Sequence, residues 1–163
     1  MYMNVNQIFQ DLLDTQKVNP YSICELQELI ENESKDYDEI ERLCFSIVTD
    51  LYDNKPLLEL QKNDNHILWY DYLQLQIYAF FKGKGDYNEK KNLLTTSSAI
   101  IIENFASEIF SRFGVDSDLI PLVVSLILCI ATQISAEAWC NYFYDSKLKK
   151  SELLCNALKE MGE

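Results

Sequence analysis

The sequence has little glycine, proline or histidine. Its 163 residues include 4 Gly, 3 Pro and 1 His. Few turn-forming residues argue against a β-sandwich, whose short strands need many tight turns. The single histidine, His66, has no partner at a defined spacing, which metalloproteases, deaminases and most catalytic triads require. The composition therefore favours helices and excludes these classes of enzyme.

Motifs for covalent catalysis, phosphate binding and secretion are also missing. No GxSxG occurs, and the KGKGD segment at 82–86 lacks the GK[ST] that completes a phosphate loop. The N-terminal residues MYMNVNQIFQ lack a basic and then apolar signal sequence. The five cysteines form no CxxC pair and predict reduced core residues: Cys24, Cys44, Cys129, Cys140 and Cys155. Together these features predict a cytoplasmic protein.

Basic residues are outnumbered by acidic ones. The chain has 14 Lys and Arg against 26 Asp and Glu, for a net charge of −12. Residues 1–81 hold 15 acids and 5 bases, and residues 82–163 hold 11 acids and 9 bases. A negative surface repels the phosphates of nucleic acids, so we expect no direct nucleic-acid binding. A protein partner with a basic surface is the expected alternative.

The longest uncharged run extends from Leu119 to Ala136. Its 18 residues lie at the lower edge of what spans a bilayer. Thr132 and Gln133 lie within the run, and acidic residues rather than a Lys or Arg cluster flank it. We therefore predict a central apolar helix buried in a protein that does not enter a membrane. A membrane-inserting or obligate oligomeric helical protein is a further alternative.

The hydrophobic pattern predicts an all-α fold, a single domain over 1–163 with six to seven helices. The first helix starts at Asn4 or Asn6 and extends to about 17, the second spans about 19–32, and the third about 36–53. A short helical turn over 56–61 follows. Segment 66–81 alternates leucine or isoleucine with Gln74 and Gln76 as a strand would. Because no second strand is available to pair with it, we prefer a helix there.

A long helical hairpin is predicted from about 88–113 and 118–144. Gly114 is placed to end its first arm, and Asp118 to cap the second. A last helix covers about 149–161. Short loops make consecutive helices antiparallel neighbours, so the apolar run should be the second arm of this hairpin and the central helix of the fold.

The densest charge lies in the second and third predicted helices. A surface of one charge sign speeds encounter with an oppositely charged protein. Our leading hypothesis is a non-enzymatic cytoplasmic protein that binds another protein, as an accessory subunit, inhibitor or immunity-type factor. It needs no cofactor, and homo-oligomers are compatible with it. The predicted partner-binding residues are all acidic: Glu25, Glu28, Glu31, Glu33, Asp36, Asp38, Glu39 and Glu41.

Two carboxylate pairs support an enzyme alternative. Glu28 and Glu31, and likewise Asp50 and Asp53, are three residues apart and so share a helix face. Packed side by side, the pairs could hold Mg²⁺. The spacing is similar to the ExxE…ExxD pattern of the all-α nucleoside triphosphate pyrophosphatases of the MazG type, except that Asp50 stands where that pattern has Glu. The resemblance implies a metal-dependent nucleotide hydrolase.

Overall fold

The regular secondary structure of the described residues is entirely helical. The computed structural model describes residues 4–53, 67–83, 98–115 and 118–161, which contain no strand. This confirms the all-α class, although the eight α-helices exceed the predicted six to seven. The helices are α1 (Val5–Asp14), α2 (Pro20–Glu31), α3 (Tyr37–Leu51), α4 (Trp69–Lys82), α5 (Ser98–Phe113), α6 (Ile120–Ile134), α7 (Ala136–Ser146) and α8 (Glu152–Glu160), with a 3-10 turn at Leu148–Lys150. The predicted turn at 56–61, His66 and the predicted start at 88 lie outside the described residues.

The first three helices begin at the predicted positions, and each start is capped by a side chain. The Asn4 side chain accepts a hydrogen bond from the Gln7 N–H at 3.1 Å. Asn19 accepts one from the Tyr21 N–H at 3.0 Å, and Pro20 opens α2. Asp36 accepts one from the Glu39 N–H at 3.2 Å. Each cap satisfies a backbone donor that lacks a partner within the helix, so the sequence determines these starts locally.

The ambiguous segment is the helix α4, as preferred. Gln74 and Gln76, which resembled the polar face of a strand, are 1% and 3% exposed. Their amides have partners in the core: Gln76 Nε2 donates to the Tyr72 hydroxyl at 3.0 Å, and Gln74 bonds to Glu41 of α3. The alternating pattern thus came from a helix that is buried on nearly every side.

The predicted helix over 118–144 is wrong in two respects. Leu119, not Asp118, is at the N-cap, and α6 begins at Ile120. The helix then ends at Ile134, and Ser135 (φ 146°, ψ 143°) separates it from α7, which turns by 110°. The Ser135 side chain accepts a hydrogen bond from the Ala138 N–H at 3.0 Å, so this serine starts a new helix inside the uncharged run. By contrast Gly114, with φ 68°, ends α5 as predicted.

Two helices form the centre of the fold. Nine residues of α6 are buried, as predicted for the apolar run, and eleven residues of α4 are buried with them. Helix α6 contacts α1, α2, α3, α4, α5 and α7. Among the described helices, none is by itself long and apolar enough to cross a membrane. The helical segments Ile120–Ile134 and Ala136–Lys150, which meet at a bend of 110°, are long and apolar enough to cross one only when taken together, by length and composition alone.

Candidate functional site

The outer face of α2 carries an exposed aromatic ring among carboxylates. Tyr21, Cys24, Glu25, Glu28 and Glu31 recur every three or four residues, which places them along one side of the helix. All five are exposed, while Ile23, Leu26 and Ile30 on the opposite side are buried. Tyr21 is 78% exposed, the highest value among the exposed large hydrophobic residues. We call these five residues the α2 stripe.

The loop after α2 continues the negative charge. Glu33 and Asp36 in the loop and Asp38 in the first turn of α3 are exposed. The one lysine in this loop, Lys35, donates its ammonium to the Ile30 carbonyl at the end of α2. A cation at a helix C-terminus is favourable because the last carbonyls carry partial negative charge. The exposed carboxylates of the stripe are thus followed directly along the chain by those of the loop and the start of α3.

Four of the predicted partner-binding residues have partners within the protein. Asp36 caps α3, Asp38 accepts a hydrogen bond from the Tyr142 hydroxyl, and Glu39 and Glu41 are bonded to other side chains. Glu39 pairs with Arg42 one turn later on α3. The hydrogen bond from Arg42 lowers the pKa of Glu39, and the same bond raises the pKa of Arg42. Glu41 faces inward and is only 19% exposed. Among the eight predicted residues, the exposed carboxylates without such a bond are therefore those on α2 and directly after it: Glu25, Glu28, Glu31 and Glu33.

A polar network connects Glu41 on α3 to two other parts of the fold, α4 and the end of α7. The Tyr70 hydroxyl donates to Glu41 Oε1 at 2.7 Å, and Gln74 Nε2 donates to Oε2 at 2.8 Å. Lys147 Nζ donates to Gln74 Oε1 at 2.6 Å and to Asp71 Oδ1 at 2.9 Å, and lies 3.7 Å from Glu41. We call these five residues the Glu41–Lys147 network. It ties α3 and α4 to the end of α7.

No sequence pattern predicts this network. Lys147 is 106 residues from Glu41 and resembles an ordinary loop-end lysine. Its ammonium also lies 4.9 Å from the centre of the Tyr70 ring. Burial raises the pKa of Tyr70 and of Cys44, whose Sγ lies 3.3 Å from the Tyr70 hydroxyl. Such contacts depend on how helices pack and are not encoded in local spacing.

Tyr37 and Tyr142 form a pair between α3 and α7. Their ring centroids are 5.7 Å apart, and the ring planes are tilted by 50°. The Tyr142 hydroxyl donates to Asp38 Oδ1 at 2.7 Å. Burial and this bond to the carboxylate raise the pKa of Tyr142. The pair connects the beginning of α3 to α7, whose direction is set by the bend at Ser135.

Three concave spaces border on the Tyr37–Tyr142 pair. An inner cavity of about 20 Å³ lies against Glu41, Gln74 and an apolar wall that includes Trp139. This volume is enough for one water molecule. Two outer grooves have volumes of about 410 and 460 Å³, the first beside Asp145 and the second beside Asp36 and Asp38. Both tyrosines line all three spaces.

The carboxylates of the enzyme alternative do not meet. Asp50 Oδ2 lies 3.4 Å from the Asn19 N–H, and Asp53 pairs with Lys17 at 3.3 Å, so both are beside the start of α2. Glu28 follows Asn19 by nine residues, about 14 Å along the helix, and Glu31 is farther still. Within the described ranges no group of three or more His, Cys, Asp or Glu could hold a metal ion.

The described residues thus define an all-α protein with an outward acidic stripe and an inward polar network. A comparison of the chain with protein-family models, curated proteins and solved structures finds no match.

Proposed function

We propose that this chain is a non-enzymatic cytoplasmic protein that binds a basic protein partner through the α2 stripe. It would act as an accessory subunit, inhibitor or immunity-type factor. The observation that carries the proposal is the position of Tyr21, which is 78% exposed on the same helix face as three exposed glutamates. Tyrosine is enriched among the residues that dominate binding energy at protein interfaces. The surrounding charge selects a partner of opposite sign.

The charges near the stripe support this proposal. Glu25, Glu28, Glu31 and Glu33 are exposed and outnumber the nearby cations, of which Lys17 pairs with Asp53, Arg42 pairs with Glu39, and Lys35 is bonded to a backbone carbonyl. The surface around the stripe is therefore negative on balance. The field of such a surface accelerates association with a basic protein and weakens as salt screens it, over a length of about 10 Å at 0.1 M.

Affinity purification with quantitative mass spectrometry tests the proposal. The bait is compared with a stripe variant, Glu25→Gln, Glu28→Gln and Glu31→Gln, and with a control variant, Glu103→Gln, Glu108→Gln and Glu152→Gln. Both variants change the net charge by the same amount, and all six glutamates are exposed. We expect a basic protein that is captured by the wild type and the control but lost with the stripe variant. Equal capture by all three baits would contradict the proposal.

A further inference from the structure

We infer that the Tyr37–Tyr142 pair is the receptor for an arginine side chain of the partner. This inference rests on the proposed function and specifies one anchoring contact within it. The pair lies directly after the acidic loop, since Tyr37 is the first residue of α3 and Asp36 is its cap. A partner that covers the α2 stripe and the loop therefore reaches the two rings.

The groove of about 460 Å³ has the chemistry that an arginine requires. This shallow groove is lined by both tyrosines and by Asp36 and Asp38, together with Ser34 and Lys35. A guanidinium group is planar, stacks on aromatic faces and donates parallel hydrogen bonds to a carboxylate. The ammonium group of lysine is not planar and cannot donate two parallel hydrogen bonds to one carboxylate. The rings and carboxylates thus favour arginine over the other basic side chain.

The charge balance around the pair leaves room for another cation. Lys35 also lines the groove, and its ammonium, bonded to the neutral Ile30 carbonyl, keeps its positive charge and offsets one nearby carboxylate. Asp145 borders the neighbouring groove, and Glu41 the inner cavity. Four carboxylates therefore surround the tyrosine pair, and Lys147 and Lys149 pair with two of them, Glu41 and Asp145. A guanidinium beside Asp38 would add attraction without displacing an ion pair.

The Tyr142 hydroxyl already occupies one of the acceptor positions on Asp38 that the arginine would use. It donates to Asp38 Oδ1, so an arriving guanidinium either shares the carboxylate with it or replaces it. A carboxylate has about four acceptor positions on its two oxygens, which permits sharing. The Asp38 side chain is exposed, so the partner needs no rearrangement of the core to reach it.

The test uses Nα-acetyl-arginine methylamide as the probe and Nα-acetyl-citrulline methylamide as its uncharged analogue. Ring signals of 13C-labelled tyrosine are followed by NMR at low salt. We expect saturable shifts of the Tyr37 and Tyr142 rings with the arginine probe, with a dissociation constant on the order of 1 mM for so small a ligand. The citrulline probe should cause none. Equal shifts with citrulline, or arginine shifts confined to other tyrosines, would overturn the inference.

Variants locate the contact. Asp38→Asn keeps an acceptor for the Tyr142 hydroxyl and should weaken arginine binding about tenfold, because it loses a charged hydrogen bond. Tyr142→Phe keeps the ring and should bind at least as tightly. Glu152→Gln makes the same charge change elsewhere and should have no effect. Unchanged binding in Asp38→Asn, or loss in Tyr142→Phe, would overturn the inference even where partner capture still depends on the stripe. Conversely, loss of stripe-dependent capture with intact arginine binding would overturn only the proposed function.

Discussion

Replacing Lys147 by methionine tests whether the Glu41–Lys147 network stabilises the packing of α3, α4 and α7. In the wild type Lys147 Nζ lies 2.9 Å from Asp71 Oδ1 and 2.6 Å from Gln74 Oε1. Methionine preserves most of the apolar stem but removes the ammonium. The variant therefore leaves the carboxylates of Glu41 and Asp71 without their shared cation.

The expected magnitude follows from the exposure of these groups. The side chains of Lys147, Glu41 and Asp71 are 25%, 19% and 27% exposed. Exposed ion pairs contribute about 0–1 kcal/mol, and breaking a fully buried pair costs about 3–5 kcal/mol. This partly buried network lies between those limits, so we expect a loss of about 2–3 kcal/mol. In a chain of this length that corresponds to a Tm lower by roughly 5–10 °C.

Lys149→Met is the matched control. Lys149 pairs with Asp145 at 3.2 Å, but the two side chains are 49% and 67% exposed. Its removal should cost less than about 0.5 kcal/mol. The assay is urea unfolding of both variants at pH 7, with the slope m checked for constancy. If Lys147→Met costs no more than Lys149→Met, the network does not contribute to the stability of the fold, and the reasoning is refuted.

Two further predictions concern the bend and the buried thiols. Ser135→Ala removes the cap of α7 and should lower the free energy of unfolding in urea by about 1 kcal/mol. Ser135→Gly should lower it by less, because glycine tolerates the positive φ at this position. Equal stability of Ser135→Ala and the wild type would show that the cap is dispensable. Burial raises the pKa of Cys129 from 9.0 to about 11, and it raises the pKa of Cys44 as well. Because the thiols ionise more easily in the unfolded state, their protonation favours the folded state; this effect is complete below pH 9 and is lost as the pH rises toward 11. Each thiol can lower the free energy of unfolding by up to about 1.4 kcal/mol per pH unit in this range. The free energy of unfolding, measured in urea from pH 7 to 11, should therefore fall less steeply for Cys129→Ala than for the wild type. Identical pH profiles would contradict a raised pKa for Cys129.

Features that depend on neighbouring residues could be predicted from the sequence. The caps at Asn4, Asn19 and Asp36 and the stop at Gly114 involve hydrogen bonds within a few residues. The exposed face of α2 follows from helical periodicity alone. From these local features, most of the predicted acidic residues could be assigned to the exposed surface of the protein.

Features that depend on packing could not be predicted. The bend at Ser135 lies within an uncharged run, where hydrophobic periodicity continues on both sides of the break. Glu41 looked like its acidic neighbours, yet it accepts hydrogen bonds from Tyr70 and Gln74, about thirty residues away in sequence. Cys24 was expected in the core and is exposed, because α2 turns that position outward with Glu25 and Glu28.

The exposed thiol of Cys24 allows the most direct test of the central claim, that the α2 stripe is the binding surface. Cys24 lies within the stripe, whereas Cys155 is half-buried on α8 and provides the internal reference. Iodoacetamide labelling of each thiol is followed by mass spectrometry in the free protein and in the complex with the captured partner. We predict that the partner slows alkylation of Cys24 several-fold and leaves Cys155 unchanged. Alkylation of Cys24 at the same rate in both states would contradict the claim.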